Sequence, residues 1–175
     1  MEMYLEYIVK RKKSTRDHLY IAGIILLTGV FILYLFPELT VPLPMLASFW
    51  FPASAGAVYG AYRWIGRFNI EYEYILTNGE LDVDRIISRR SRKRLLNINC
   101  RQFERVAPCR ENDKSGGTVH ENLDYSISPA DQTTYFATYM KSGKRTRLLF
   151  NPSPKMLEQF KMFLPGKVDI RVSNN

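Results

Sequence analysis

Cysteine and histidine are scarce in this chain of 175 residues: Cys100 and Cys109, His18 and His120, and no others. The two cysteines are not at a usual zinc spacing, and two histidines are too few to complete a zinc site with them, so no metal is expected. A lone histidine without a paired nucleophile is weak ground for catalysis, even with Glu121 and Asp124 near His120. The chain contains no P-loop, no GxSxG and no HExxH, and Ser115-Gly116-Gly117 is too short to cradle a phosphate. These absences argue against an enzyme and against a cofactor. Charge is missing where its absence matters most. No Asp, Glu, Lys, Arg or His lies in the run Leu19–Phe36 or in the run Leu39–Tyr62, and an ion or proton path across a membrane ordinarily needs one.

What those two runs do contain is apolar sequence, 18 and 24 residues of it. A helix of roughly 20 residues crosses a hydrocarbon core, with about 17 as the lower limit. Both runs meet that length, and Pro37-Glu38 separates them. The mean hydropathy of −0.22 hides this concentration in the first third of the chain. Lys10-Arg11-Lys12-Lys13 precedes the first run, Arg63 and Arg67 end the second, and the connection carries Glu38 without Lys or Arg. The positive-inside bias therefore places both termini in the cytoplasm. A cleaved signal peptide fits less well, because no small-x-small site follows Phe36 and a second apolar run does. The expected organisation is a basic N-terminal segment (1–17), a transmembrane helical hairpin (18–67), a cytoplasmic domain (68–166) and a tail (167–175).

Within the second run, Pro52 is expected to kink the helix. Ala53, Gly56, Ala57 and Gly60 supply small residues at helical spacing, suited to close helix packing. They serve either the hairpin's own first helix, which is favoured, or a homodimer or partner subunit. Ahead of the first run, Met1, Tyr4, Leu5 and Ile8 recur at helical spacing and suggest a short interfacial helix or a frayed end.

The domain reads as strands followed by one helix. Ile70, Tyr72, Tyr74 and Leu76 alternate with Glu71, Glu73 and Ile75 up to Asn78-Gly79, the strongest short signal for a two-residue hairpin. That turn sets Leu76 against Leu81, Tyr74 against Val83, Tyr72 against Arg85 and Ile70 against Ile87. It also sets Glu73 against Asp84, a like-charge pair that is relieved either by a nearby basic side chain or by a different register. Leu96–Cys100 and Phe103–Val106 read as short strand pieces, and Glu111–Glu121 as a flexible loop. Thr133–Met140 and Arg145–Phe150 form a second hairpin around Ser142-Gly143. Ser153 caps a helix that Pro154 opens, with Met156, Phe160 and Phe163 on its apolar face and Pro165-Gly166 at its end.

Tyr74-Ile75-Leu76-Thr77-Asn78-Gly79-Glu80-Leu81 resembles the opening hairpin of bacterial pleckstrin-homology-like (PH-like) domains, which often follow a pair of membrane helices. The resemblance implies a mainly-β, seven-stranded, partly open barrel closed by the helix after Pro152, and no set chemistry. Eukaryotic relatives commonly bind phosphoinositides around the first hairpin loop. Here that loop is Asn78-Gly79 alone, so the resemblance does not carry an inositol-phosphate pocket to this chain.

The net charge of +8 is concentrated: Arg85–Arg105 holds eight basic residues against the single Glu104. If the first strand runs away from the membrane and the second returns, Ser88–Arg94 forms a basic loop near the bilayer. Arg89, Arg90, Arg92, Lys93 and Arg94 would then contact anionic headgroups, each worth about 1 kcal/mol close to the surface. A merely solvated basic face is the competing account. Nucleic acid is disfavoured, since no recognition helix or interleaved aromatic motif accompanies the charges. The sequence thus reads as a non-catalytic, membrane-anchored scaffold for anionic lipid and a protein partner. The alternative is an accessory subunit of a larger membrane enzyme or export complex.

Overall fold

The computed structural model describes residues 3–109 and 119–169. It divides into two compact units, Lys13–Asn69 and the two flanking stretches Met1–Lys12 and Ile70–Asn175 taken together.

The flanking stretches build one domain. Asn78 (φ 49°) and Gly79 (φ 88°) form the tight turn between β2 (Ile70–Thr77) and β3 (Glu80–Ile87), and every expected cross-strand pair is present, Glu73 opposite Asp84 included. Glycine is favoured at 79 on two counts. Its φ is left-handed, and a Cβ there would lie 3.3 Å from the ring of Phe163. β4 (Ser91–Asn99) continues the sheet through a bulge, where Val83 pairs with Leu96 but Asp84 with Arg94.

The fourth strand of this sheet overturns an expectation. Tyr4–Lys10 is a strand, β1, antiparallel to β2 from Tyr4↔Thr77 to Lys10↔Glu71. The helical spacing of Tyr4, Leu5 and Ile8 is real, but Leu5, Tyr7 and Val9 also alternate. The exposed edge of β2 rewards that second period, leaving Val9 only 4% exposed. The sheet order is β1-β2-β3-β4.

A 3₁₀ turn (Cys100–Gln102) leads into a second sheet, ordered β5-β7-β8-β6. Its strands are β5 (Phe103–Pro108), β6 (Glu121–Asp124), β7 (Tyr135–Lys141) and β8 (Lys144–Phe150). The Ser142-Gly143 hairpin is as expected. β6, parallel to β8, is not, and most of the anticipated Glu111–Glu121 loop lies outside the described residues. Eight strands are thus described rather than seven.

α4 (Pro154–Phe163) closes the structure. The Ser153 side chain accepts the Met156 N–H, and Met156, Leu157 and Phe160 are buried. Phe160 sits edge-on to Phe103 and Phe150, and Phe150 to Tyr74, joining helix and both sheets. The Tyr74 hydroxyl donates to Tyr125 O (2.6 Å) and accepts from Asn151 N–H (3.2 Å), so its polar end is satisfied inside the core.

The unit Lys13–Asn69 is helical. α1 (Thr15–Val30) starts where the Ser14 N–H donates to the Asp17 carboxylate at 2.9 Å. A π-helical stretch, Phe31–Leu35, follows, then α2 (Phe36–Thr40), so the helix runs on past Pro37 rather than ending before it. The wider turn ahead of Pro37 relieves the clash its ring would make in a regular α-helix. A 3₁₀ segment, Pro44–Phe49, precedes α3 (Trp50–Gly66). Pro52 falls in the first turn of α3, where no intrahelical donor is needed. α1 and α3 run antiparallel: Tyr20 stacks on Phe68 (6.3 Å), and the Trp50 indole N–H donates to Ile32 O (3.4 Å). Thr15–Thr40, 26 residues, is the one helical segment among the described residues long and apolar enough to cross a membrane. It points to membrane association. α3 has 17 residues.

Candidate functional site

Strand alternation gives the first sheet an inner face of Tyr72, Tyr74, Leu81 and Val83 and an outer face dense with charge. On that outer face Glu71 and Glu73 come from β2, Asp82 and Asp84 from β3, Arg92 and Arg94 from β4, and Glu6, Ile8 and Lys10 from β1. Glu73 and Asp84 are 3% and 4% exposed. Two carboxylates so placed need a shared cation, and Arg92 is that cation. Its guanidinium bonds Asp84 at 2.7 Å and pairs with Glu73. Arg94 lies 3.4 Å from both Asp82 and Asp84. Burial pushes the Glu73 carboxyl above the usual glutamate range, helped by a hydrogen bond with Glu6 and opposed by Arg92. The Tyr4 hydroxyl, donating to Glu6 at 2.7 Å, holds the Glu6 carboxyl low.

This arrangement changes the reading of the basic segment. Ser91–Arg94 belongs to β4, not to a loop, and the loop proper is Ser88–Arg90. Arg92 and Arg94 alternate onto the acidic outer face and are largely spent on it. Arg89, Arg90 and Lys93 are exposed. Arg89 reaches Glu71 at 3.9 Å, with its side chain 88% exposed. The turn itself is unusual. Its closing bond runs from Arg90 N–H to Ile87 O (3.0 Å), with Ser88 at φ 54° and Arg89 at φ 55°. Left-handed backbone costs a residue with a Cβ about 1 kcal/mol or more, and such positions cluster at functional sites. Sequence reasoning missed this turn, because nothing in Ser-Arg-Arg announces one.

Between the strand ends on the outer face lies an open pocket of about 600 Å³ lined by Ile8, Lys10, Glu71, Ile86 and Arg89. The chain just beyond it is pinned. Arg11 N–H donates to Ile70 O (3.0 Å), Lys12 N–H to Ile127 O (2.9 Å), and Lys12 Nζ meets Asp131 at 2.8 Å. Lys12, with two hydrogen bonds from Thr133, holds the Asp131 carboxyl well below the usual range.

The remaining residues singled out by sequence do not converge. In α3, Ala53, Ala57 and Gly60 are half-buried and Gly56 is exposed. Ala57 and Gly60 line a gap against Ile24, Leu27 and Thr28 of α1. A Cβ at Gly56 or at Gly60 would meet no atom within 4 Å, so neither glycine is used for close approach within the chain. His120, Glu121 and Asp124 are exposed, and Asp124 accepts from the Ser126 backbone and hydroxyl. Burial pushes the Cys100 thiol up to about 12, which keeps it inert. Among the described residues no cluster of three or more His, Cys, Asp or Glu is placed to hold a metal ion.

No curated protein and no solved structure matches the chain. One family description does, Bacterial PH-like domain (DUF6106), over residues 1–170. That span takes in both sheets, α4 and the helical segment between β1 and β2, and PH-like domains commonly bind lipids or proteins and are typically non-catalytic. The chain belongs to this family of bacterial PH-like domains.

Proposed function

We propose that this protein is a membrane-anchored scaffold. Its PH-like domain sits on the cytoplasmic surface, touches anionic lipid through its basic edge and offers its remaining surface to a protein partner. One observation carries the reading. Lys10 and Glu71 are paired across adjacent strands, and Arg11 is hydrogen-bonded to Ile70. The whole segment Lys13–Asn69 therefore leaves and returns at one point. If Thr15–Thr40 crosses a bilayer, the chain must cross back before Ile70. The returning stretch is α3, about 26 Å long at 1.5 Å per residue, extended by the 3₁₀ segment Pro44–Phe49 by about 12 Å. Together these are about 38 Å, enough to cross a hydrocarbon core of about 30 Å. Arg63, Arg67 and the Lys10–Lys13 run mark the same side as cytoplasmic.

The test is cysteine labelling in intact cells, in a Cys109→Ser background with an impermeant maleimide. Val41→Cys should label from outside and Arg101→Cys only after permeabilisation. Labelling of both from outside, or of neither, would remove the two-span reading.

A second reading, as an accessory subunit, is favoured by the outward side of α3. There Phe51, Ala55, Val58, Tyr59 and Tyr62 line an apolar groove. Gly56→Leu adds bulk where no neighbour within the chain is met. It should leave the isolated protein as stable as the parent and cut co-purification of a membrane partner severalfold. An unchanged set of co-purified proteins would exclude assembly through the small-residue stripe of α3 around Gly56.

A further inference from the structure

The outer-face pocket has properties that a solvated basic patch does not need. Two cations reach it from different elements, Lys10 from the end of β1 and Arg89 from the β3–β4 turn, facing one carboxylate, Glu71. The charge over these three groups is a single positive one, the complement of a phosphodiester monoanion rather than of a dianionic phosphate. Two walls are apolar: Ile8, 48% exposed, and Ile86. Free phosphate has no use for them, whereas glycerol and the first acyl carbons do. At about 600 Å³ the pocket falls within the range of small-molecule sites. Arg89 is held there in a left-handed conformation that glycine would adopt at lower cost. The fold thus tolerates strain at the residue that supplies the exposed cation.

We infer that Lys10 and Arg89 clasp the phosphodiester of one anionic membrane glycerophospholipid in this pocket, with Ile8 and Ile86 against its glycerol backbone. The inference rests on the membrane-anchored reading above and gives it a defined site. Connectivity selects a lipid over a soluble anion. Four residues separate Lys10 from Thr15, so the apolar helix begins within about 17 Å of chain from the pocket. The site lies at the opposite end of the strands from Asn78-Gly79.

Native mass spectrometry of the full-length protein released from detergent tests this directly. The protein is equilibrated with equal amounts of phosphatidylglycerol and phosphatidylcholine, with and without excess inorganic phosphate. Wild type should retain one phosphatidylglycerol with about tenfold or greater preference, undisturbed by phosphate. Lys10→Gln/Arg89→Gly should lose that preference. Arg89→Gly alone should also lose the preference and should melt no lower than wild type, since it relieves the left-handed strain, so this loss cannot be put down to unfolding. Lys10→Arg should retain binding. A double variant that keeps the wild-type preference would overturn the pocket while leaving lipid contact elsewhere on the domain. A wild type that retains neither lipid would overturn lipid contact altogether, and one that retains both equally would overturn the assignment to anionic lipid. Displacement by inorganic phosphate would show a soluble-anion site and equally overturn the lipid assignment.

Discussion

Arg92→Leu should destabilise the folded domain by about 2–3 kcal/mol. Removing one partner of a buried ion pair leaves the other uncompensated, and here one guanidinium serves two carboxylates, Glu73 and Asp84, both nearly inaccessible to water. The figure sits at or just below the low end of the usual cost because the Arg92 side chain is itself 51% exposed and Arg94 still approaches Asp84 at 3.4 Å. Arg92→Lys should recover only part of the loss, since a single ammonium cannot reproduce a fork that spans two carboxylates. Glu73→Gln with Asp84→Asn in the leucine background should recover most of it.

The defect carries a pH signature. The folded value of Glu73 already lies above the ordinary 4.5, and loss of Arg92 raises it further. Between 4.5 and that raised value the folded state holds more protons than the unfolded one, so stability falls as pH rises through the interval. The gap between Arg92→Leu and wild type should therefore be smallest in mild acid and widen towards neutrality. Urea unfolding from pH 4.5 to 8 measures it. A variant as stable as wild type at neutral pH would show that the acidic pair does not depend on Arg92.

Much of this was readable beforehand, for reasons that are local. Asn78-Gly79 and Ser142-Gly143 fix their hairpins through backbone conformations that few residue pairs adopt. Ser153-Pro154 starts α4 with a cap and a preset φ. The opposition of Glu73 and Asp84 followed from the first turn alone; only the structure shows that a base relieves it rather than a shifted register. What stayed hidden depends on partners distant in sequence. β1 pairs with residues 61 to 73 positions later, across a segment whose own apolar pattern dominates the reading. The fate of Arg92 and Arg94 required knowing that β4 extends back through the basic run to Ser91 and turns alternate residues onto the acidic face. A charge run in sequence shows sign and density. Only register shows which charges are already spent.

The largest effect is expected from removing β1. A fragment beginning at Asn69 carries every other described strand, yet it exposes the whole edge of β2 from Ile70 to Thr77 and uncovers the core beneath Val9 and Leu5. Full burial of one such aliphatic side chain contributes about 1.5–3 kcal/mol. The strand also brings its ladder hydrogen bonds and the Lys12–Asp131 contact. The total deficit should reach about 4–6 kcal/mol, comparable to the entire stability of a small domain. The fragment should then populate unfolded or aggregated states through the open edge of β2. Joining Lys12 to Asn69 through a short glycine-rich turn should restore a cooperative, monomeric domain, because Arg11 and Ile70 are already hydrogen-bonded neighbours. Urea denaturation and sedimentation of the two proteins give the comparison. Equal stability would mean that β1 adds nothing to the domain. The expected result has a practical consequence: lipid binding measured on a fragment without β1 would lack Ile8 and Lys10, and a negative outcome would say nothing about the pocket they help to form.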